Sequence, residues 1–470
     1  MLRLKTNFPI LLLFVSALIF LFSCRKKDQI DTNPSVKLTF STDTIFFDTV
    51  FTTIGSVTQR LMVYNWNKSK INISSIRLSG GEQSSYRINV NGTPAMSITN
   101  VEIPGEDSIY LFVRVTVDPN NKNTPFIISD SILFNTNGNF QQVKLAAWGQ
   151  NALFYKNTNL SGNITWDSLK AHVIYGSFRI DTGSTLTLMP GTKVFLHNKS
   201  SLSVSDEGSL LAYGTLEHPV QFSGDRLDPN YRDLPGQWEG IFLEKGSSGN
   251  YINYGLIKNG SQGIVVHTAS DPGQPDLKLE NTIIQNMTGD GLFTESSYII
   301  STNCVIGNCG GSAISITGGG DYDFKQLTIG NYWSGSVRTS PSLYLSNFTY
   351  DSLGNKIPQD LNNAFFGNSI IYGMDSEEIL LSSDNSKKFE YTFDHSLLKT
   401  TFSTADPLHF ILCIVNQDPR FIDPQKYDFA IDSMSPVIDK GIPMEVPFDI
   451  KGNVRGETPD LGAFEYVKHR

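Results

Sequence analysis

The chain has 470 residues, 39% of them apolar and 18% charged, with a formal net charge of -9. That length exceeds what one hydrophobic core normally fills, so the sequence implies two or three structural units or one long solenoid, and the composition argues against a chain disordered beyond its ends. The acidic balance, with neither a Lys/Arg-rich block nor a recognition-helix pattern, argues against a nucleic-acid partner.

At the N-terminus, Arg3 and Lys5 precede an apolar run from Ile10 to Phe22. The run is too short for an ordinary membrane-crossing helix and suits the core of a secretory signal. It ends in Leu21-Phe22-Ser23-Cys24, which resembles the lipobox of bacterial lipoprotein signals, although Phe22 is larger than the residue usual there. The resemblance implies that residues 1–23 are a leader. It also implies that the Cys24 sulfur carries diacylglycerol, so that a membrane is a partner. Residues 24–35 are polar, without an apolar pattern, and are expected to be a tether. Arg25 follows the cysteine where the familiar inner-membrane retention signal has Asp, which implies the outer membrane of the cell envelope and leaves the membrane face open.

Residues 36–150 alternate apolar and polar side chains in short runs, the pattern of half-buried antiparallel strands. Examples are Gln59 to Tyr64, Ser108 to Val115 and Gln142 to Gly149, with turns at Pro104-Gly105-Glu106-Asp107 and Asn135-Thr136-Asn137-Gly138. An immunoglobulin-like β-sandwich is expected. The order of a strand ending near Asn65, a strand from Ile71 to Leu78, a Pro-Gly turn and a closing strand with Trp148-Gly149 resembles the sandwich domains of the ASPM, SPD-2 and Hydin group, which implies a spacer or binding module.

From residue 151 to 415 a self-similar phrase repeats, in which an apolar strand ends at an asparagine and Gly-rich residues lead to a second strand. The marker asparagines Asn259, Asn286, Asn308 and Asn331 are 27, 22 and 23 residues apart. Just over twenty residues is one turn of a β-solenoid of three short strands. Stacked coils would pair every strand above and below, and asparagine at the bend tolerates a left-handed backbone. The fold class expected is therefore all-β, a sandwich followed by a right-handed parallel β-helix. The phrases Tyr175 to Ile180, Ser184 to Val194 and Gly208 to Thr215 resemble the opening coils of pectin-lyase-like proteins, whose scaffold they describe.

Residues 416–470 carry Asp418-Pro419-Arg420-Phe421-Ile422-Asp423-Pro424, Ser435 to Gly441, Asp449 to Arg455 and Pro459 to Tyr466. These resemble the C-terminal region of choice-of-anchor Q β-helix proteins, and the resemblance extends over roughly Asn151 to Tyr466. It implies a C-terminal cap that covers the exposed last coil.

Chemistry is sparse. Cleavage of a glycosidic bond needs paired carboxylates on rigid neighbouring coils, and the polygalacturonase-like set of Asn-Thr-Asp, Asp-Asp, Gly-His-Gly and Arg-Ile-Lys is missing from the sequence. Phe393-Asp394-His395-Ser396 resembles an Asp-His phrase of pectate lyases but falls where a plain solenoid strand is expected. No catalytic residue, metal ligand or cofactor is assigned. The candidate ligand patch is Asp321 and Asp323, after Gly318-Gly319-Gly320, together with Tyr332 and Trp333. Carboxylates hold sugar hydroxyls and aromatic faces cover sugar rings. Asp225, Asp228 and Asp233 are read as a solvated acidic loop, and Asp439, Asp449, Asp460 and Glu465 as turn caps. Cys304, Cys309 and Cys413 form an odd set, and the first two are expected as buried free thiols. The reading is a non-catalytic, lipid-anchored envelope protein for adhesion or glycan binding, with a polysaccharide lyase or glycoside hydrolase as the alternative. Oligomeric state stays open.

Overall fold

The computed structural model describes residues 29–51, 56, 58–116, 126–227, 231–267 and 273–468. The leader, Cys24 and residues 25–28 of the tether lie outside them, as does Asp228. The chain is nearly all β and divides into two compact units between Asn151 and Ala152.

The first unit is an immunoglobulin-like sandwich of two five-stranded sheets. One sheet runs in the order Thr39–Phe40, Gln59–Asn65, Asp107–Val115, Tyr86–Val90, Thr93–Ala95, and the other Thr44–Phe51, Asn139–Gln150, Phe126–Thr136, Ile71–Leu78, Ser97–Ile103. All pairings are antiparallel except that of Thr44–Phe51 with Asn139–Gln150. The two-residue alternation places Leu61, Val63, Leu111 and Val113 of one sheet in one core with Ile73, Ile76, Ile132 and Phe134 of the other. At the strand end singled out in the sequence, the buried Asn65 amide donates to the carbonyls of Ser69 (2.9 Å), Ile103 (3.2 Å) and Pro104 (2.9 Å) and so ties two turns together. Residues 31–36, mostly counted with the tether, lie against this unit. The Asn137 amide donates to the carbonyls of Asp31 and Asn33, and that of Asn139 to those of Pro34 and Val36.

The second unit is the right-handed parallel β-helix, a continuous 26-stranded parallel sheet wound on itself. Its strands fall into three columns, each strand pairing with its counterpart one coil away. The first column includes Gly255–Lys258, Ile283–Met287, Val305–Cys309, Thr328–Asn331 and Ile370–Gly373. The second includes Gly240–Leu243, Ile264–Val266 and Leu343–Ser346, and the third includes Asn250–Asn253, Leu277–Glu280 and Leu361–Gly367. The long strands Leu292–Thr302 and Ile314–Lys325 turn from the second column into the third. Stacking aligns Phe222, Ile257, Ile284, Ile306, Ile329, Ile371 and Leu398 in one inward file with no exposed surface. Each such side chain contributes about 1.5–3 kcal/mol by leaving water.

The bends between columns explain the asparagines. Asn259, Asn286 and Asn308 have φ of 66°, 61° and 52°, the left-handed region that asparagine enters at least cost after glycine. Asn331 differs, for it is absent from the positive-φ residues and instead accepts a hydrogen bond from the Cys309 N–H (2.9 Å). A second row of left-handed residues marks the bend from the third column to the first: Tyr254, Asn281, Asn303, Gln326, Asn368, His395 and Leu412, on successive coils. His395 is thus a corner residue of the solenoid.

The C-terminal segment runs along a flank of the coils. First-column strands are apolar on both faces, as in Ile283-Ile284, Val305-Ile306, Ile370-Ile371 and Leu397-Leu398. Their outward members need a cover. Phe429 and Phe464 pack over Val305, while Ile431, Val437 and Leu461 pack over Ile370 and Leu397. Arg455 donates to Asn303 Oδ1 (2.9 Å), the Asn303 amide to the Phe448 carbonyl (2.7 Å), and the Asn368 amide to the Ile442 carbonyl (2.7 Å). The resemblance implied a cover for the last coil, whereas these contacts seal the side of several coils.

Candidate functional site

The bend where the first column passes into the second bears a cleft with polar and aromatic walls. Three insertions meet there around the asparagine row. The connection from Val220–Gly224 to Gly240–Leu243 contributes its described residues 231–239, residues 332–342 connect Thr328–Asn331 to Leu343–Ser346, and the turn Pro424–Lys426 comes from the C-terminal segment. They enclose a cleft of about 170 Å³ lined by Asp233, Asn286, Asn308, Tyr332, Trp333, Gln425 and Tyr427, among others.

Each wall is fixed by the coil beneath it. The Asn259 amide donates to the Arg232 carbonyl (2.6 Å), and that of Asn286 donates to the Asp233 carbonyl (2.8 Å) and to Asn259 Oδ1 (2.7 Å). The Asn308 amide donates to the Pro424 carbonyl (3.2 Å), while its Oδ1 accepts the Tyr332 N–H (2.9 Å). Trp333 is half-buried and lies against Gly310 and Gly335, where added Cβ atoms would strike its ring. Its indole N–H donates to Ser336 Oγ (3.0 Å). The Asp233 carboxylate stays exposed beside Lys258 Nζ (3.3 Å) and Arg232 Nε (3.3 Å). The Tyr332 ring also packs against Phe421 and Phe429, and burial raises its hydroxyl above the usual tyrosine range.

Of the expected patch, Tyr332 and Trp333 therefore share a cleft, and Asp321 and Asp323 do not join them. The two aspartates lie on the outward face of the third column, within Ile314–Lys325. Asp321 accepts from the Asn363 amide (3.3 Å), and Asp323 lies 3.3 Å from Lys325 Nζ with its other oxygen buried and without a hydrogen-bond partner. Tyr322 between them points into the core and bonds Thr294 Oγ1 (3.1 Å). The glycines before them take φ of 65°, 75° and 118°, which lets one strand turn between columns. In place of that pair, the structure brings Asp233 to the aromatic residues.

Asp225 has a different fate. At the same bend, three successive coils superpose Tyr175, His197 and Asp225. His197 Nδ1 is 2.8 Å from Asp225 Oδ2, and the Tyr175 hydroxyl donates to the same oxygen (3.4 Å) with its ring 4.5 Å from the imidazole. His197 is 47% exposed and Asp225 11%. A carboxylate that pins one imidazole nitrogen orients the ring for proton transfer at the other. Sequence reasoning missed this trio, although the separations of 22 and 28 residues are of coil length.

The C-terminal carboxylates hold turns together. Asp449 accepts from the N–H groups of Lys451, Asn453 and Glu465, and Asp460 from those of Asp439 and Tyr466. Glu465 accepts from Arg455 Nη1 (2.5 Å); burial, and then Asp460, push its carboxyl up to about 6. Cys304 and Cys309 are free and buried, their thiols pushed up by burial to about 11 and about 12. Among the described residues, no three His, Cys, Asp or Glu side chains gather as metal ligands.

No family model and no curated protein matches the chain. Among solved structures, the catalytic domain of a GH87 alpha-1,3-glucanase aligns at 9% identity over 76% of this chain and 91% of that one, with a TM-score of 0.20. The PapD-like domain 7 of human CEP192 aligns at 11% identity over 28% of this chain and 96% of that one, with a TM-score of 0.19. A family 123 glycoside hydrolase from Clostridium perfringens aligns at 9% identity over 28% of this chain and 30% of that one, also at 0.19. At such TM-scores none of these likenesses bears on what this chain does.

Proposed function

We propose that this chain is a non-catalytic, lipid-anchored envelope protein of the choice-of-anchor Q type that binds a glycan along its β-helix, most directly in the cleft beside Trp333. The observation that carries the reading is the meeting of an aromatic ring and an exposed carboxylate on one bend, with walls held by the asparagine amides beneath. Ring faces cover the apolar faces of sugars, while carboxylates bond their hydroxyls. The cleft is smaller than the roughly 300–1,000 Å³ of pockets that engulf a ligand, which suits surface contact with part of a polymer. The leader and Cys24 support the lipid anchor and an outer-membrane destination. The sandwich then serves as a module of the ASPM, SPD-2 and Hydin kind.

A panel of plant, algal and host glycans tests the reading, with binding, reducing ends and unsaturated products measured on the same samples. Saturable binding without product is the expected result, and sustained turnover would overturn it.

A second reading, a polysaccharide lyase or glycoside hydrolase, is favoured by the oriented and exposed His197 beside Asp225. Turnover that disappears in His197→Ala and persists in Trp333→Ala would support it.

A further inference from the structure

The outer face of the first sandwich sheet has a composition at odds with the rest of this acidic chain. Across three adjacent strands it presents Arg60, Arg87 and Arg114 around the exposed rings of Tyr110 and Phe112. Arg87 is paired directly across from Arg114, and Arg60 directly across from Phe112, which places it diagonal to Arg114. Like charges facing each other across a strand pair are destabilising. Among the described residues, none of these three guanidinium groups forms an ion pair. Arg87 is held in place by donating to the Ser84 and Tyr86 carbonyls (2.5 and 2.7 Å). Arg87, Arg114 and Phe112, with Pro94 and Met96, line a hollow of about 620 Å³, within the size range of ligand pockets.

We infer that this face binds an anionic polysaccharide, with its carboxylate or sulfate groups taken by Arg60, Arg87 and Arg114 and its ring faces laid on Tyr110 and Phe112. Charge complementarity selects the anion, since guanidinium forks match carboxylate and sulfate oxygens. The central strand Asp107–Val115 has a partner on each side, Gln59–Asn65 and Tyr86–Val90, so a ligand laid over Tyr110, Phe112 and Arg114 meets side chains and no strand edge. Those side chains offer positive charge beside flat rings 5.1 Å apart. The site stands independently of the cleft beside Trp333.

The test titrates the full chain with oligomers of equal length of alginate, dextran sulfate, neutral dextran and polyglutamate. At least one of the two anionic glycans should bind and weaken as salt rises. Its Kd should rise about tenfold or more in Arg60→Gln/Arg114→Gln, a loss of about 1.4 kcal/mol or more. It should rise in Phe112→Ala, and rise less in Arg114→Lys, which keeps the charge and loses the fork, than in Arg114→Gln. Neutral dextran should not respond to the arginine substitutions. Unchanged anionic-glycan affinity in the double variant would overturn the inference. So would polyglutamate that binds as tightly through the same arginines, which would indicate an acidic peptide. Loss confined to Trp333→Ala would leave the cleft standing and remove this face.

Discussion

His172 stacks on Trp166 in the opening coils of the solenoid, with ring centroids 4.1 Å apart and planes 10° from parallel. Its Nδ1 is 3.0 Å from the Tyr155 hydroxyl, and its Nε2 is buried without a hydrogen-bond partner. Burial lowers its pKa from 6.5 to about 4. The folded chain therefore holds this imidazole neutral where the unfolded chain would take up a proton. Stability is full above about pH 6.5 and falls as pH drops toward 4, by up to about 3 kcal/mol. Thermal unfolding between pH 7.5 and 4.5 should show this slope, and His172→Phe should flatten it. An equal slope in the variant would assign the effect to other groups.

The lateral seal predicts an outcome for Gly330→Ala. A Cβ at this position would collide with the buried Phe429 ring. Overpacking of this kind costs about 1–3 kcal/mol. Limited proteolysis should then release fragments cut between residues 416 and 466, while cuts in the coils before Asn259 stay as slow as in wild type. Cleavage spread evenly through the solenoid would contradict a seal that acts locally.

Asn286 combines a left-handed backbone with two amide hydrogen bonds, one of which holds the loop wall of the cleft. Asn286→Gly keeps the backbone permissive and removes the bonds, whereas Asn286→Ala removes both. Alanine should therefore be the more destabilising, by about 1 kcal/mol, from the backbone difference alone. Denaturant midpoints of the two variants measure it, and equal midpoints would show that the bend is not under left-handed constraint.

The His197–Asp225 pair makes a prediction under the binding reading. If the chain only binds glycans, His197→Ala should leave affinity in the Trp333 cleft within about twofold, because His197 does not line that cleft. Binding isotherms for wild type and variant decide this. A large loss would extend the contact surface along the bend to the opening coils.

Much of the architecture was legible because solenoid coils repeat their chemistry. Asn259, Asn286 and Asn308 recur at coil length since the same left-handed bend recurs. The second bend escaped notice because Tyr254, Gln326, His395 and Leu412 occupy it beside the asparagines, and strand pairing on both sides fixes the geometry whatever the side chain. The lateral seal had a signal in the doublets Val305-Ile306, Ile370-Ile371 and Leu397-Leu398, which leave apolar side chains on the outside of a strand. The site was less legible. Asp323 and Tyr332 are close in sequence, yet a coil crosses from one column to the next between them. Asp233 and Trp333 are 100 residues apart and line one cleft. Residues far apart in sequence meet in a solenoid when they share a bend, so the separation to search was the coil repeat and its multiples.

The most direct measurement is the equilibrium affinity of Trp333→Ala, set against wild type, for the tightest-binding glycan of the panel. Circular dichroism and melting of both proteins would confirm an unchanged β-helix. Loss of the ring is predicted to weaken binding about tenfold or more, with neither protein releasing product from the glycan. An affinity equal to wild type would contradict the placement of the glycan in this cleft.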